Sequence, residues 1–136
     1  MKIEKYIPIL LITIILVISV IKFPPKSIEI PETSEVILVY NYNNKKIYEK
    51  INNKNEIIEL KTLLKGNVFK DNPSCGFSED ISITFTGENN LMLCPALDSC
   101  GIIRIGTTNS YINISENNRK KLELFLGKYG FKFPSI

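Results

Sequence analysis

Residues 75–100 read CGFSEDISITFTGENNLMLCPALDSC and contain all three cysteines of the chain. Apolar and hydroxyl side chains alternate at 81–86, a pattern that predicts a β-strand with one buried face. Residues 91–94 predict a second strand, and the Gly-Glu-Asn-Asn sequence at 87–90 is typical of the turn between two strands. The stretch therefore predicts a hairpin within an antiparallel sheet.

The register of this hairpin follows from its side-chain pattern. Pairing Thr86 with Leu91 around the turn places Ile83 opposite Cys94. The apolar side chains of the two strands then share one face, and the hydroxyl side chains share the other. We therefore expect Cys94 to lie on the core-facing side of the sheet.

Three cysteines allow at most one disulfide within the chain and leave one thiol. Cys94 and Cys100 flank a five-residue loop, so we expect a Cys94–Cys100 disulfide with Cys75 as the remaining thiol. Cys75 is an alternative partner for either of them. A zinc site made of the three thiolates with Asp98 or Asp80 is a further alternative, but the spacing matches no zinc ribbon or knuckle. No metal site is therefore predicted.

The sequence on both sides of this stretch supplies further strands and two helices. The predicted elements are strands at 35–42 and 45–50, a helix at 56–65, a connection at 68–73, a hairpin at 101–114 and a helix capped by Ser115. Gly66 is the expected end of the first helix, and Gly127 and Gly130 are the expected end of the second. In the second hairpin, Ile103 is expected opposite Ile112. The order β-β-α-β-β-β-β-α predicts an α+β domain with an antiparallel sheet.

Residues 1–26 predict a transmembrane anchor with short flanks. The uncharged stretch 6–21 is shorter than the roughly 20 residues that cross a bilayer, but Lys5 and Lys22 can extend their ammonium groups to the interface. We expect residues 6–23 to contact the lipid bilayer as a single pass, with the C-terminal domain outside the cell membrane. Cleavage as a secretory signal is the alternative, but no small-residue cleavage site follows the apolar stretch.

The remaining sequence divides into a stalk and one domain. Consecutive prolines and spaced acidic residues predict an extended stalk at 27–35, which leaves a single extracytoplasmic domain at 36–136. The whole net charge of +3 lies in residues 1–26, so the rest of the chain is neutral. A neutral domain lacks the basic surface that nucleic-acid binding requires, and no nucleic-acid partner is predicted.

Histidine is absent from the chain. Its absence excludes Ser–His and Cys–His nucleophile systems and removes the commonest general base and metal ligand. The cysteines form no Cys-x-x-Cys motif, and the glycines form no phosphate-binding loop. We therefore predict no catalytic residues, no cofactor and no enzymatic activity.

Several local patterns resemble a known group of proteins. They are Cys75-Gly-Phe, Cys94-Pro-Ala-x-x-x-Cys100, the Ile-rich hairpin, Ser115-Glu-x-x-Arg-Lys-Lys-Leu and Tyr129-Gly-Phe-x-Phe-Pro. Together they resemble small membrane-anchored or secreted extracytoplasmic proteins of bacteria that have no assigned function. The resemblance covers residues 75–134 and implies a stand-alone extracytoplasmic α+β domain, without implying any chemistry.

The sequence thus predicts a membrane-tethered, non-enzymatic domain with a binding or cell-envelope role and an unidentified protein partner. The alternative is a metal-binding or thiol-redox protein centred on Cys75, Cys94 and Cys100, because all three cysteines occur in one neighbourhood of the sequence.

Overall fold

The computed structural model describes residues 26–98 and 100–133. The predicted anchor at 1–26, apart from Lys26, lies outside these residues, as does the bilayer contact expected at 6–23. Neither helix in the described part of the chain is long and apolar enough to cross a membrane.

Seven strands and two helices make up the described part of the chain. They are β1 (Val36–Tyr42), β2 (Lys45–Ile51), α1 (Lys54–Leu63), β3 (Asn67–Lys70), β4 (Ile81–Phe85), β5 (Leu91–Pro95), β6 (Ile102–Ile105), β7 (Ser110–Asn113) and α2 (Glu116–Lys128). The strands form one sheet in the order β2-β1-β4-β5-β6-β7-β3, and every neighbouring pair is antiparallel. The predicted α+β class with an antiparallel sheet and two helices is confirmed.

Both helices pack on one face of the sheet. Val36, Leu38 and Tyr40 of β1 are buried in the same cluster as Leu60 of α1 and Phe125 of α2. The buried positions of β1 alternate because successive side chains of a strand point to opposite faces. The hydrophobic core therefore lies between the helices and this face of the sheet.

A polar contact joins the two helices beside the core. The hydroxyl of Tyr129, which follows α2, donates a hydrogen bond of 2.9 Å to the carboxylate of Glu56 in α1. Burial and this hydrogen bond raise the pKa of Tyr129 to about 12. The hydroxyl therefore keeps its proton, and remains a donor, throughout the neutral pH range.

The sheet contains one strand more than the sequence predicted. The connection expected at 68–73 begins instead with β3, which pairs with β7. This strand has only two apolar side chains, Val68 and Phe69, so its local pattern is too short to predict a strand. Its hydrogen-bond partners lie far along the sequence, and they are what make it a strand.

The first helix begins and ends earlier than expected. The side-chain oxygen of Asn53 accepts the backbone N–H of Asn55 at 2.9 Å and caps α1, which then ends at Leu63. Gly66 is not the residue that stops this helix. It is needed for close packing, because its α-carbon approaches the backbone of Asn113 in β7.

The second helix begins as expected and ends later. Ser115 is the predicted cap, and its hydroxyl oxygen accepts the backbone N–H of Asn118 at 3.1 Å. Gly127, expected to end the helix, lies within it, and Tyr129 is the C-terminal cap. Gly130 has a φ of +87°, a left-handed conformation that glycine adopts at little cost.

The register of β6 against β7 is as predicted, and that of β4 against β5 is not. Ile103 does pair with Ile112, but the residue that pairs with Leu91 is Phe85, not Thr86. Since a shift of one residue turns a strand's side chains to the other face, Cys94 lies on the side of the sheet away from the helices.

Residues 27–35, predicted as an extended stalk, contain no helix and lie along the domain. The backbone N–H of Val68 in β3 donates to the carbonyl of Lys26 at 2.7 Å. Further along, Ile28 and Ile30 are partly buried against the hydrophobic core. The segment therefore forms part of the domain's surface.

Gly66→Ala is expected to lower the free energy of unfolding by roughly 1–3 kcal/mol, since a Cβ there overlaps the carbonyl oxygen of Asn113. Gly127→Ala is the control, because a Cβ at that helical position meets no atom within 4 Å. Alanine is favoured over glycine inside a helix by roughly 0.5–1 kcal/mol, so the control is expected to be more stable. Urea unfolding followed by circular dichroism measures both changes. Similar effects of the two substitutions would contradict the close packing of Gly66 on β7.

Candidate functional site

A groove with a volume of about 510 Å³ runs between α1 and the segment that precedes β1. Residues 32–34 form one wall, and the other wall includes Lys54, Ile58, Lys61 and Lys65. We call this feature the α1 groove. It lies on the helix-covered side of the domain, where the sequence predicted no site.

The helical wall of the α1 groove is basic. Its lysines and Ile58 recur at intervals of three and four residues, the spacing that places side chains on one face of a helix. Glu56 and Glu59 of the same helix do not line the groove. Within the described residues, neither Lys54 nor Lys65 forms a salt bridge. The wall therefore carries positive charge that the domain itself does not neutralise.

One acidic side chain of the domain contacts this wall. The carboxylate of Glu32 lies 3.4 Å from the ammonium nitrogen of Lys61, and the Glu32 side chain is otherwise fully exposed. An ion pair exposed in this way contributes little to stability. The ion pair nevertheless shows that a carboxylate on the opposite side of the groove can reach Lys61 of α1.

The helical wall of the α1 groove is also partly apolar. Ile58 is 53% exposed, whereas its neighbour Ile57, which also lines the groove, is buried in the core. The helix has ten residues and is therefore about 15 Å long. An extended chain rises roughly 3.3 Å per residue, so a segment of four or five residues matches the length of the groove.

Hydrogen bonds to Thr86, which follows β4, hold the wall formed by residues 32–34 in place. The hydroxyl of Thr86 donates to the carbonyl of Glu35 at 2.9 Å and lies 3.2 Å from the hydroxyl of Thr33. The Thr33 hydroxyl also donates to the Glu35 carbonyl at 2.7 Å. These contacts fix residues 32–34 beside α1.

On the opposite face of the sheet, residues 71–80 form a cover that contains no strand or helix, and we call it the flap. The ring of Phe77 lies 5.4 Å from that of Tyr111. Glu79 forms a salt bridge with Arg104, whose guanidinium lies 5.8 Å from the Phe77 ring. Tyr111 is buried in consequence, although its strand position faces away from the helices.

The flap is joined to the loop after β5 by a disulfide between Cys75 and Cys100, whose α-carbons are 6.2 Å apart. The backbone N–H of Leu97 donates to the carbonyl of Gly76 at 2.9 Å. The N–H of Gly76 donates more weakly, at 3.4 Å, to the carboxylate of Asp98. The flap and this loop are therefore held together by one covalent bond and two hydrogen bonds.

The Cys94–Cys100 disulfide expected from the sequence is wrong. Cys75, the expected remaining thiol, is bonded to Cys100, and Cys94 is the free cysteine. The reason lies in the β5–β6 ladder, which places Arg104 opposite Cys94. Cys100 lies beyond the end of that ladder, beside the flap.

The Cys94 thiol has no solvent-exposed surface. Burial raises the pKa of the Cys94 thiol, and this effect outweighs the opposing influence of Arg104. A buried, protonated thiol is a poor nucleophile and a poor metal ligand. The three cysteines predicted as a possible common centre are thus divided between two environments.

Asp98 is the carboxylate that lies close to the disulfide. Its ligand oxygen and the sulfurs of Cys75 and Cys100 lie within 4.8 Å of one another. The two sulfurs form the disulfide. The Asp98 carboxylate accepts a hydrogen bond of 3.1 Å from the backbone N–H of Cys100. Asp80, the other acid weighed as a ligand, instead accepts from the amide of Asn41 at 3.3 Å.

The sequence contained part of the signal for the α1 groove. The lysine spacing on α1, and Ile58 between the lysines, are both visible in the sequence. The opposite wall was not predictable, because residues 32–34 are placed there by contacts with the distant Thr86. Comparison with protein-family models, curated proteins and solved structures found no match to this chain.

Cys75→Ser and Cys100→Ser are each expected to lower the free energy of unfolding by about 2–4 kcal/mol, the usual effect of a disulfide that closes such a loop. The double variant is expected to lose no more than either single variant, because both changes remove the same bond. Urea unfolding measures these losses. Cys94→Ala is the control: intact-mass spectrometry is expected to show that its disulfide is retained. Additive losses in the double variant, or a disulfide in Cys75→Ser, would contradict the assignment.

Proposed function

We propose that the protein is a membrane-tethered, extracytoplasmic binding domain whose α1 groove binds an acidic, extended segment of a partner protein. The observation that carries the proposal is the basic wall beside the exposed Ile58. The positive charge of the helical wall favours carboxylates, and the isoleucines of the same wall favour a segment that also presents aliphatic side chains. The proposed role is binding without catalysis, since the chain contains no histidine and its groove is lined by lysines, hydroxyls, aliphatic groups, one amide and the single carboxylate of Glu32.

In this proposal, residues 6–23 cross the bilayer once and the domain lies outside the cell membrane. The carbonyl of Lys26 is hydrogen-bonded to β3, so only residues 24 and 25 separate the domain from Phe23. The three residue steps from Phe23 to Lys26 span at most about 10 Å. The Lys65 end of the groove lies beside β3, so the partner segment would bind close to the membrane surface.

Nucleic acid is not the proposed ligand. The chain after residue 26 has no net charge, and the basic wall of the α1 groove is confined to one short helix. Nucleic-acid binding depends on neutralising many phosphates at once, which requires a more extensive basic surface. A short acidic peptide needs only a few lysines.

A cysteine-centred metal-binding or thiol-redox protein is the second candidate. The proximity of Asp98 to the sulfurs of Cys75 and Cys100 favours it. While the disulfide is intact, however, neither sulfur is available as a thiolate, and Cys94 is buried elsewhere. The groove therefore carries the main proposal.

Binding in the groove can be tested on the full-length protein in detergent micelles with two fluorescein-labelled peptides. One alternates glutamate with aliphatic residues, and the other has glutamine in place of each glutamate. Fluorescence anisotropy is expected to show binding of the acidic peptide and little binding of the neutral one. The Lys54→Glu/Lys65→Glu variant is expected to bind the acidic peptide about tenfold more weakly, because two exposed ion pairs become repulsive.

The Lys46→Glu/Lys121→Glu variant is the matched control. It makes the same change in charge at two exposed lysines outside the groove, so its affinity is expected to stay near that of the native chain. Equal weakening in both variants would show non-specific attraction and contradict the groove as the site. The tether has its own test: protease treatment of intact cells is expected to degrade the domain, and protection of the domain would contradict the proposed orientation.

A further inference from the structure

We propose that the Cys75–Cys100 disulfide is a redox-sensitive latch: it holds the flap over the sheet, and its reduction releases the flap and exposes Cys94 and Tyr111. This inference concerns the face of the sheet opposite the α1 groove. It does not depend on the proposed binding function or on the membrane anchor.

The flap is fixed at its ends and otherwise irregular. At one end it continues from β3, and at the other the backbone N–H of Asn41 donates to the carbonyl of Asp80 at 2.7 Å. Between these points the chain forms no regular secondary structure. Ordering such a segment has a cost in conformational entropy, which specific contacts must offset.

The non-covalent contacts of the flap are few and partly exposed. Glu79 pairs with Arg104, but the Glu79 side chain is 54% exposed, so solvent weakens the salt bridge. The hydrogen bond from the N–H of Gly76 to the Asp98 carboxylate is long. The hydrogen bond from the N–H of Leu97 to the Gly76 carbonyl is a single backbone contact. The disulfide is therefore the main restraint on the middle of the flap.

The surface beneath the flap differs from an ordinary solvent-facing sheet. Tyr111 packs against Phe69, with 5.7 Å between their rings, and Cys94 and Ser82 are also buried on this face. Neither helix covers these residues, which lie on the other side of the sheet from the core. Arg104 lies between Tyr111 and Cys94 in the sheet, and Glu79 of the flap forms its salt bridge with this arginine. Release of the flap would free Arg104 and expose the Tyr111 ring and, two strands away, the Cys94 thiol, a surface suited to protein contact.

The reaction that opens the latch is thiol–disulfide exchange with a dithiol reductant. One thiolate of the reductant attacks a sulfur of the Cys75–Cys100 bond and forms a mixed disulfide, and its second thiol then displaces the protein. The protein gains two electrons and two protons as two thiols, and the reductant becomes a disulfide. Both cysteines are partly exposed, so a reductant can reach them. A disulfide oxidant reverses the reaction.

Cys94 provides the measurement. In the oxidised native chain it is the free thiol, and in the Cys75→Ser/Cys100→Ser variant it is again the single thiol. Trypsin cleaves after Lys70 and after Arg104 and at no site between them, so all three cysteines lie on one peptide. The maleimide adducts are therefore counted on the intact protein. Both proteins, full length in detergent micelles, are pulsed with N-ethylmaleimide. Labelling of Cys94 is expected to be at least about tenfold faster in the double variant, because loss of the crosslink frees the flap.

Two controls separate release of the flap from unfolding of the domain. Leu63→Ala removes a buried side chain of α1 and destabilises the whole domain while leaving the disulfide in place. It is expected to label Cys94 far more slowly than the double variant. Hydrogen exchange in the double variant is expected to rise far more in residues 71–79 than in β1 and β2, where it rises only as much as the loss of global stability requires.

Three results would contradict the proposal that the disulfide acts as a latch. Equal labelling rates in the native chain and the double variant would show that non-covalent contacts alone keep the flap closed. Equal acceleration in Leu63→Ala would show that Cys94 is reached through general unfolding. Hydrogen exchange that rises as much throughout the sheet of the double variant as in residues 71–79 would show that the flap opens only when the whole domain unfolds.

Discussion

The pairing of β4 with β5 is the constraint on which both surfaces of the domain depend. Because Phe85 pairs with Leu91, the isoleucines of β4 lie in the core and Cys94 lies on the opposite face. Thr86 decides this register, since its hydroxyl and its backbone N–H both bond to the carbonyl of Glu35. Those bonds continue the pairing of β4 with β1 by one residue, whereas the pairing of β4 with β5 ends at Phe85.

The same threonine links the sheet to the α1 groove. Its contacts with Thr33 and Glu35 fix one end of the segment before β1, and the bond between Lys26 and Val68 fixes the other. A wall anchored at both ends faces α1 in a defined position. A groove with fixed walls loses less conformational entropy when a ligand binds than one formed by mobile chain. The turn of the central hairpin thus contributes to a site on the other side of the core.

Local sequence patterns predicted the elements, and distant contacts decided what those patterns could not. The Ser115 cap, the pairing of Ile103 with Ile112 and the helical face of α1 follow from residues close together in sequence. β3, the register at Thr86 and the Cys75–Cys100 disulfide each depend on a partner far away in sequence. The wrong disulfide was expected from spacing alone, since Cys94 and Cys100 flank a five-residue loop, whereas Cys75 is brought to Cys100 by the fold of the flap.

The two faces of the sheet are covered in physically different ways. On one face, two helices bury a continuous cluster of aliphatic and aromatic side chains, and burial of this kind is the main source of folding stability. On the other, the flap contributes one aromatic ring, one salt bridge and a few backbone contacts, and a covalent bond holds it in place. The helical cover cannot be removed without unfolding the domain. The flap can open while the core stays packed, so a fold of this kind can keep its architecture while the exposure of one surface changes.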